Sequence, residues 1–128
     1  MKTTIIATLI LLSSLLFFSC SKKTENSYTM ITQEQAKKIM DTEEGFVILD
    51  VRTLEEYESG HIPNAILLPY DEIPEKAESV LKDKNQKILV YCRSGNRSKT
   101  GSSYLVELGY TNVYEFGGIN TWPYEIEN

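Results

Sequence analysis

Apolar and polar positions along this chain fall into blocks of two kinds. Phe46-Val47-Ile48-Leu49, Ala65-Ile66-Leu67-Leu68 and Ile88-Leu89-Val90-Tyr91 are continuous apolar runs, the pattern of strands covered on both faces. Tyr28–Ile31 and Val113-Tyr114-Glu115-Phe116 read as two further short strands. Between these blocks the apolar residues recur at helical spacing: Ala36, Ile39 and Met40; Ala77, Val80 and Leu81; Gly101, Tyr104, Leu105 and Leu108. Thr32-Gln33-Glu34-Gln35 and Thr53-Leu54-Glu55-Glu56 are capping boxes, in which Thr accepts from the N3 amide and the N3 side chain reaches back. Pro74 stands where a first helical turn tolerates proline. Gly45 ends the turn after the first helix, and Gly60 and Gly109 close the second and the last. Buried strands joined by helical crossovers predict an α/β domain, with a central parallel sheet of about five strands and helices on both sides.

The first nineteen residues break this rhythm. Ile5–Phe18 is apolar apart from Thr8, Ser13 and Ser14, and Lys2 is the only charge ahead of it. Such a run is short for a spanning helix and suits the hydrophobic region of a signal peptide. Ser21–Ser27 has no apolar residue and reads as a tether. The expected organisation is residues 1–19 as signal peptide, 20–27 as a modified Cys plus tether, and 28–128 as one domain. Ser19-Cys20 followed by polar Ser21-Lys22-Lys23 resembles the lipobox of bacterial lipoproteins, with Phe17 standing where that motif usually has Leu. The resemblance implies lipidation of Cys20, cleavage before it, and an exported domain held to a bacterial membrane on its periplasmic or cell-surface side.

Composition narrows the function. Apolar residues make up 41% and charged residues 24% of 128 residues, a globular balance. The net charge is −5, and one unit more negative without Lys2. That argues against nucleic acid as a partner, since phosphates need clustered cations. A local cationic site for a small anion remains compatible with it. With two cysteines there is no disulfide framework. With a single histidine and no carboxylate cluster at ligand spacing, neither a metal site nor a cofactor is expected.

The chemistry concentrates at one strand end, where open parallel sheets place their sites. Directly after Ile88–Tyr91 come Cys92-Arg93-Ser94-Gly95-Asn96-Arg97-Ser98 and a helix. A thiol there faces free amides and the positive end of the helix dipole. Arg93, Arg97 and Lys99 add positive charge, and Gly95 and Asn96 are suited to left-handed dihedrals that turn amides inward. Cys92 is thus a candidate nucleophile, with Arg93, Ser94, Gly95, Asn96 and Arg97 as its anion-binding loop.

Together with Ile48-Leu49-Asp50-Val51-Arg52, Glu56-Tyr57, Gly60-His61-Ile62-Pro63-Asn64-Ala65, Gly117-Gly118-Ile119 and Trp122, this loop resembles a single-domain rhodanese. Asn64 replaces the usual Gly. The resemblance implies a rhodanese-like three-layer fold and a sulfurtransferase. Cys92 would take sulfane sulfur from a small anionic donor such as thiosulfate and hold it as a persulfide. It would then pass the sulfur to cyanide or a thiol, a thioredoxin-like protein being one candidate acceptor. Arg93 and Arg97 would draw in the donor. Asp50 and Arg52 are expected to support the site structurally, His61 to be a satisfied turn residue, and Trp122 to be core. Two alternatives stay open. One is a Cys-dependent phosphatase or arsenate reductase-like enzyme, although such loops place five residues between Cys and Arg and this one places four. The other is a non-catalytic rhodanese-like binding module.

Overall fold

The computed structural model describes residues 27–128. The signal peptide, Cys20 and nearly all of the tether lie outside the described residues. Five strands, β1 (Thr29–Met30), β2 (Val47–Asp50), β3 (Ile66–Leu67), β4 (Ile88–Cys92) and β5 (Val113–Gly118), form one parallel sheet in the order β1-β5-β4-β2-β3. The helices are α1 (Gln33–Thr42), α2 (Leu54–Ser59), α3 (Ile73–Val80) and α4 (Asn96–Glu107). Both predicted capping boxes are formed, Thr32 with Gln35 and Thr53 with Glu56.

Strand alternation divides the core between the two faces. Leu49, Ile88, Val90, Cys92 and Val113 pack with Ile73, Ala77 and Leu105, so α3 and α4 cover that side. Ile48, Leu89, Tyr91 and Phe116 pack with Ala36, Ile39 and Tyr57 on the α1 and α2 side. This follows from connectivity. The chain crosses the sheet in one direction through α1 and α2 and in the other through α3 and α4, and right-handed crossovers put those pairs on opposite faces. β2 and β4 are therefore neighbours whose following helices leave on opposite sides. This is a topological switch point, and open α/β sheets bind ligands beyond the strands' carboxyl ends at such points.

Several expectations change at this level. The run Ala65–Leu68 is an edge strand, not one covered on both faces: Ile66 is 37% exposed. Val80 is exposed at the end of α3, and Trp122 is only half-buried, its ring tilted against Phe116 at 5.5 Å. Asn64 adopts the positive φ, 67°, that its place in the turn demands. Among the described residues no helix is long and apolar enough to cross a membrane.

Candidate active site

β4 ends on Cys92, whose side chain is fully buried on the α4 side of the sheet. Arg93, Ser94 and Gly95 then turn the chain into α4. Gly95 caps that helix with φ 104°, a conformation that costs other residues energy. Asn96 is the first helical residue rather than a second left-handed one, because Gly95 alone completes the turn. The loop sits directly on the end of β5. A Cβ on Gly118 would lie 2.0 Å from the Arg93 carbonyl oxygen, so only glycine lets the strand and the loop approach this closely. Asn120 N–H donates to the same carbonyl at 3.1 Å.

Among the described residues, two groups hydrogen-bond the sulfur. Gly95 N–H donates to Cys92 Sγ at 3.0 Å, and Sγ donates to Ser98 Oγ at 3.3 Å. Ser98, on the first turn of α4, is fully buried and donates to Glu115 Oε1 at 2.6 Å. Glu115 is 2% exposed, and its Oε1 also accepts from Gly117 N–H at 2.9 Å. A cleft of about 310 Å³ opens beside the loop, lined among others by Met30, Gln33, Ser94, Lys99, Glu115 and Thr121.

The loop cations divide. Arg93 is exposed. Arg97 is not aimed freely at the loop: it grips Glu56 of α2 with two hydrogen bonds, 2.6 Å and 2.9 Å, across the carboxyl ends of β2 and β4. Arg97 holds the Glu56 carboxyl down at about 2, and Glu56 in turn raises Arg97, with a smaller contribution from the nearby Cys92. A single acid thus caps α2 and fixes α4 against it.

Asp50 and Arg52 form a buried ion pair at 2.7 Å at the carboxyl end of β2. Arg52 also donates to the Gly60 carbonyl at 2.7 Å, and Tyr91 Oη donates to Asp50 at 2.7 Å while accepting from Ile62 N–H at 3.1 Å. Burial disfavours the Arg52 charge, but the bonds and charge of Asp50 outweigh it and raise its pKa. Burial is the main cause of the strongly raised Tyr91 pKa, with Asp50 adding to it. These contacts tie β2, β4 and the turn before β3 together and leave the Asp50 carboxylate engaged. His61 lies outside the sulfur's contacts. Its Nδ1 bonds the Tyr57 carbonyl at 2.9 Å and its ring stacks on Tyr57 at 3.9 Å.

Sequence reasoning gathered Cys92 and its loop but missed Glu115 and the pairing of Glu56 with Arg97. For Glu115 a signal existed: it lies two residues from Val113 and therefore shares that residue's core-facing side of the strand. For Glu56 the capping box already explained the residue, so nothing in the sequence called for a second partner.

Comparison with known proteins gives a consistent set of similarities. The rhodanese-like domain family model matches residues 32–124. The thiosulfate sulfurtransferase PspE of Escherichia coli is 38% identical over 71 residues, covering 56% of this chain and 68% of that protein. The thiosulfate sulfurtransferase GlpE of Coxiella burnetii is 36% identical over 96 residues, covering 74% and 87%. Among solved structures, a rhodanese-related protein from Thermoplasma volcanium superposes with a TM-score of 0.68 at 31% identity, covering 78% of this chain and 98% of that one.

Proposed function

The chain belongs to the rhodanese-like domain family, and on that premise we propose that it is a sulfurtransferase working through a persulfide on Cys92. The observation that carries this reading is the setting of the thiol: buried at the end of β4, before the amino end of α4, with the Gly95 amide on its sulfur. Amide donors and a helix amino terminus favour a sulfur anion, whether thiolate or persulfide.

The reaction has two halves. The Cys92 thiolate attacks the sulfane sulfur of thiosulfate. The new Sγ–S bond forms as the donor's S–S bond breaks, and sulfite leaves with the electron pair. Cyanide or a thiolate then attacks the outer sulfur of the persulfide, and Cys92 departs as thiolate. Covalent transfer of this kind gives ping-pong kinetics. Arg97, locked to Glu56, fixes the amino end of α4 against α2, while exposed Arg93 and Lys99 are free to attract an anionic donor.

The test is a parallel assay of the protein with thiosulfate plus cyanide and with an aryl phosphate. Thiocyanate formation that is lost in Cys92→Ser supports the reading. Faster phosphate hydrolysis than sulfur transfer by the unaltered loop overturns it.

We further propose that the domain is exported and held to a bacterial membrane through Cys20. The support is the apolar run Ile5–Phe18, the Ser19-Cys20 junction and the polar tether after it. Two or more acyl chains there would give stable anchoring where one is marginal. A thiol on a partner protein or a small nucleophile would then be the acceptor, met outside the cytoplasm.

A further inference from the structure

We infer that Glu115, acting through Ser98, is the internal proton acceptor for Cys92. The inference rests on the reading of Cys92 as the nucleophile and adds a positioning residue to its site.

The geometry has a direction. Ser98 Oγ carries one hydrogen, and the acceptors around it are Glu115 Oε1 at 2.6 Å, the Gly95 carbonyl at 3.0 Å and the Gly117 carbonyl at 3.5 Å. The shortest contact assigns that hydrogen to Glu115. Among the described residues, the one donor directed at the Ser98 oxygen is the Cys92 thiol, at 3.3 Å. Thiol, hydroxyl and carboxylate therefore stand in series on the α4 side of the sheet. Their placement is fixed by backbone: Cys92 ends β4, Ser98 stands on the first turn of α4, and Glu115 lies in β5 with the Gly117 amide on the same oxygen.

Packing alone does not account for Glu115. A buried carboxylate is costly unless paired or well bonded, and no ion pair among the described residues includes it. The acids at the carboxyl end of β2 and in the first turn of α2 are engaged: Glu56 by Arg97, Asp50 by Arg52 and Tyr91. The charged groups around this cluster are Lys99 on α4, which lines the same cleft, and Arg97 on α4, held by Glu56 of α2, while the Asp50–Arg52 pair is bonded to Tyr91 on the other side of the sheet. β1 and Gln33 at the start of α1 bring no charge to it.

In the step proposed, the Sγ–H bond breaks and its proton passes to Ser98 Oγ, while the Ser98 proton passes to Glu115 Oε1. Thiol plus carboxylate become thiolate plus carboxylic acid with no change in total charge. The thiolate keeps the Gly95 amide and gains the Ser98 hydroxyl as a donor. After the acceptor has removed the outer sulfur and Cys92 has left as thiolate, the same path returns the proton. No oxidant or reductant enters.

The test uses iodoacetamide alkylation of Cys92 followed from pH 6 to 9, which reads the nucleophile without requiring sulfur transfer. Glu115→Gln keeps the shape and both bonds to Oε1 while removing the base. Wild-type alkylation is expected to level off where Glu115→Gln still climbs with pH. The deficit of the variant should be at least about tenfold at pH 6 and should close to within about twofold above the ordinary thiol range near 8.5. Ser98→Ala should show the same pH-dependent deficit, and the double variant should be no worse than either single one. Equal rates at every pH overturn the inference, as does a deficit of constant size, which would mark a structural effect. If Glu115→Gln does not fold, the pH dependence of Ser98→Ala decides by the same two outcomes. A wild-type protein that alkylates on this profile but releases no sulfite from thiosulfate would leave the relay standing and remove the sulfurtransferase reading instead.

Discussion

Glu56 shows how much one residue can be asked to do. It closes the capping box of α2 and grips Arg97 at the head of α4. Arg97 lowers its carboxyl from 4.5 to about 2, so the folded state favours the charged form. The pair's contribution is therefore fully present above about pH 4.5 and is lost as pH falls toward 2. For a pair at this exposure the contribution is about 1–2 kcal/mol. Glu56→Gln preserves the capping box and removes only the ion pair. Denaturant titrations should show the variant less stable at pH 7, with the difference vanishing between about pH 4 and 2. The same residue marks a limit of sequence reading. Arg97 looked like a free cation for an anionic donor, but its partner lies 41 positions away. Only the crossing of β2 and β4 brings the two together.

Among the elements, legibility followed local signals. Capping boxes and apolar periods are properties of a few adjacent residues, and they yielded α1, α2, β2 and β4 to within a residue or two. Edge status is not local. Ala65–Leu68 carries the apolar content of a covered strand, yet β3 ends up beside β2 alone and Ile66 is left facing water. The junction of β5 with the Cys92 loop is likewise a meeting of distant segments. Gly118 is the point where the Arg93 carbonyl passes over bare backbone. Gly118→Ala should push that carbonyl away, at a cost of about 1–3 kcal/mol, the range for overpacking. Thermal unfolding should register the loss. Sulfur transfer should fall further than stability does, because the displaced segment carries the Gly95 amide that meets the sulfur.

At the scale of the whole molecule, the fold explains why the chemistry gathers where it does. The helices leave β2 and β4 on opposite faces, and Cys92, Arg97, Glu56, Asp50 and Arg52 all come from the segments at the carboxyl ends of these two strands. That much was readable from the loop after one apolar run, because parallel sheets put their sites there. The amino-terminal segment concerns where the domain works. If Cys20 anchors the protein, Cys20→Ala expressed in a bacterial host should yield unprocessed precursor or a soluble product, and the unaltered protein should partition into detergent. Recovery of the unaltered protein from the aqueous phase with another amino terminus would contradict the anchor and leave the enzyme untouched. The central claim, sulfur carried on Cys92, is tested most directly by intact-mass spectrometry after brief exposure to thiosulfate. The account predicts that the wild-type domain gains the mass of one sulfur atom, loses it on adding cyanide, and that Cys92→Ser gains nothing. An unchanged wild-type mass, or an equal gain in Cys92→Ser, would contradict it.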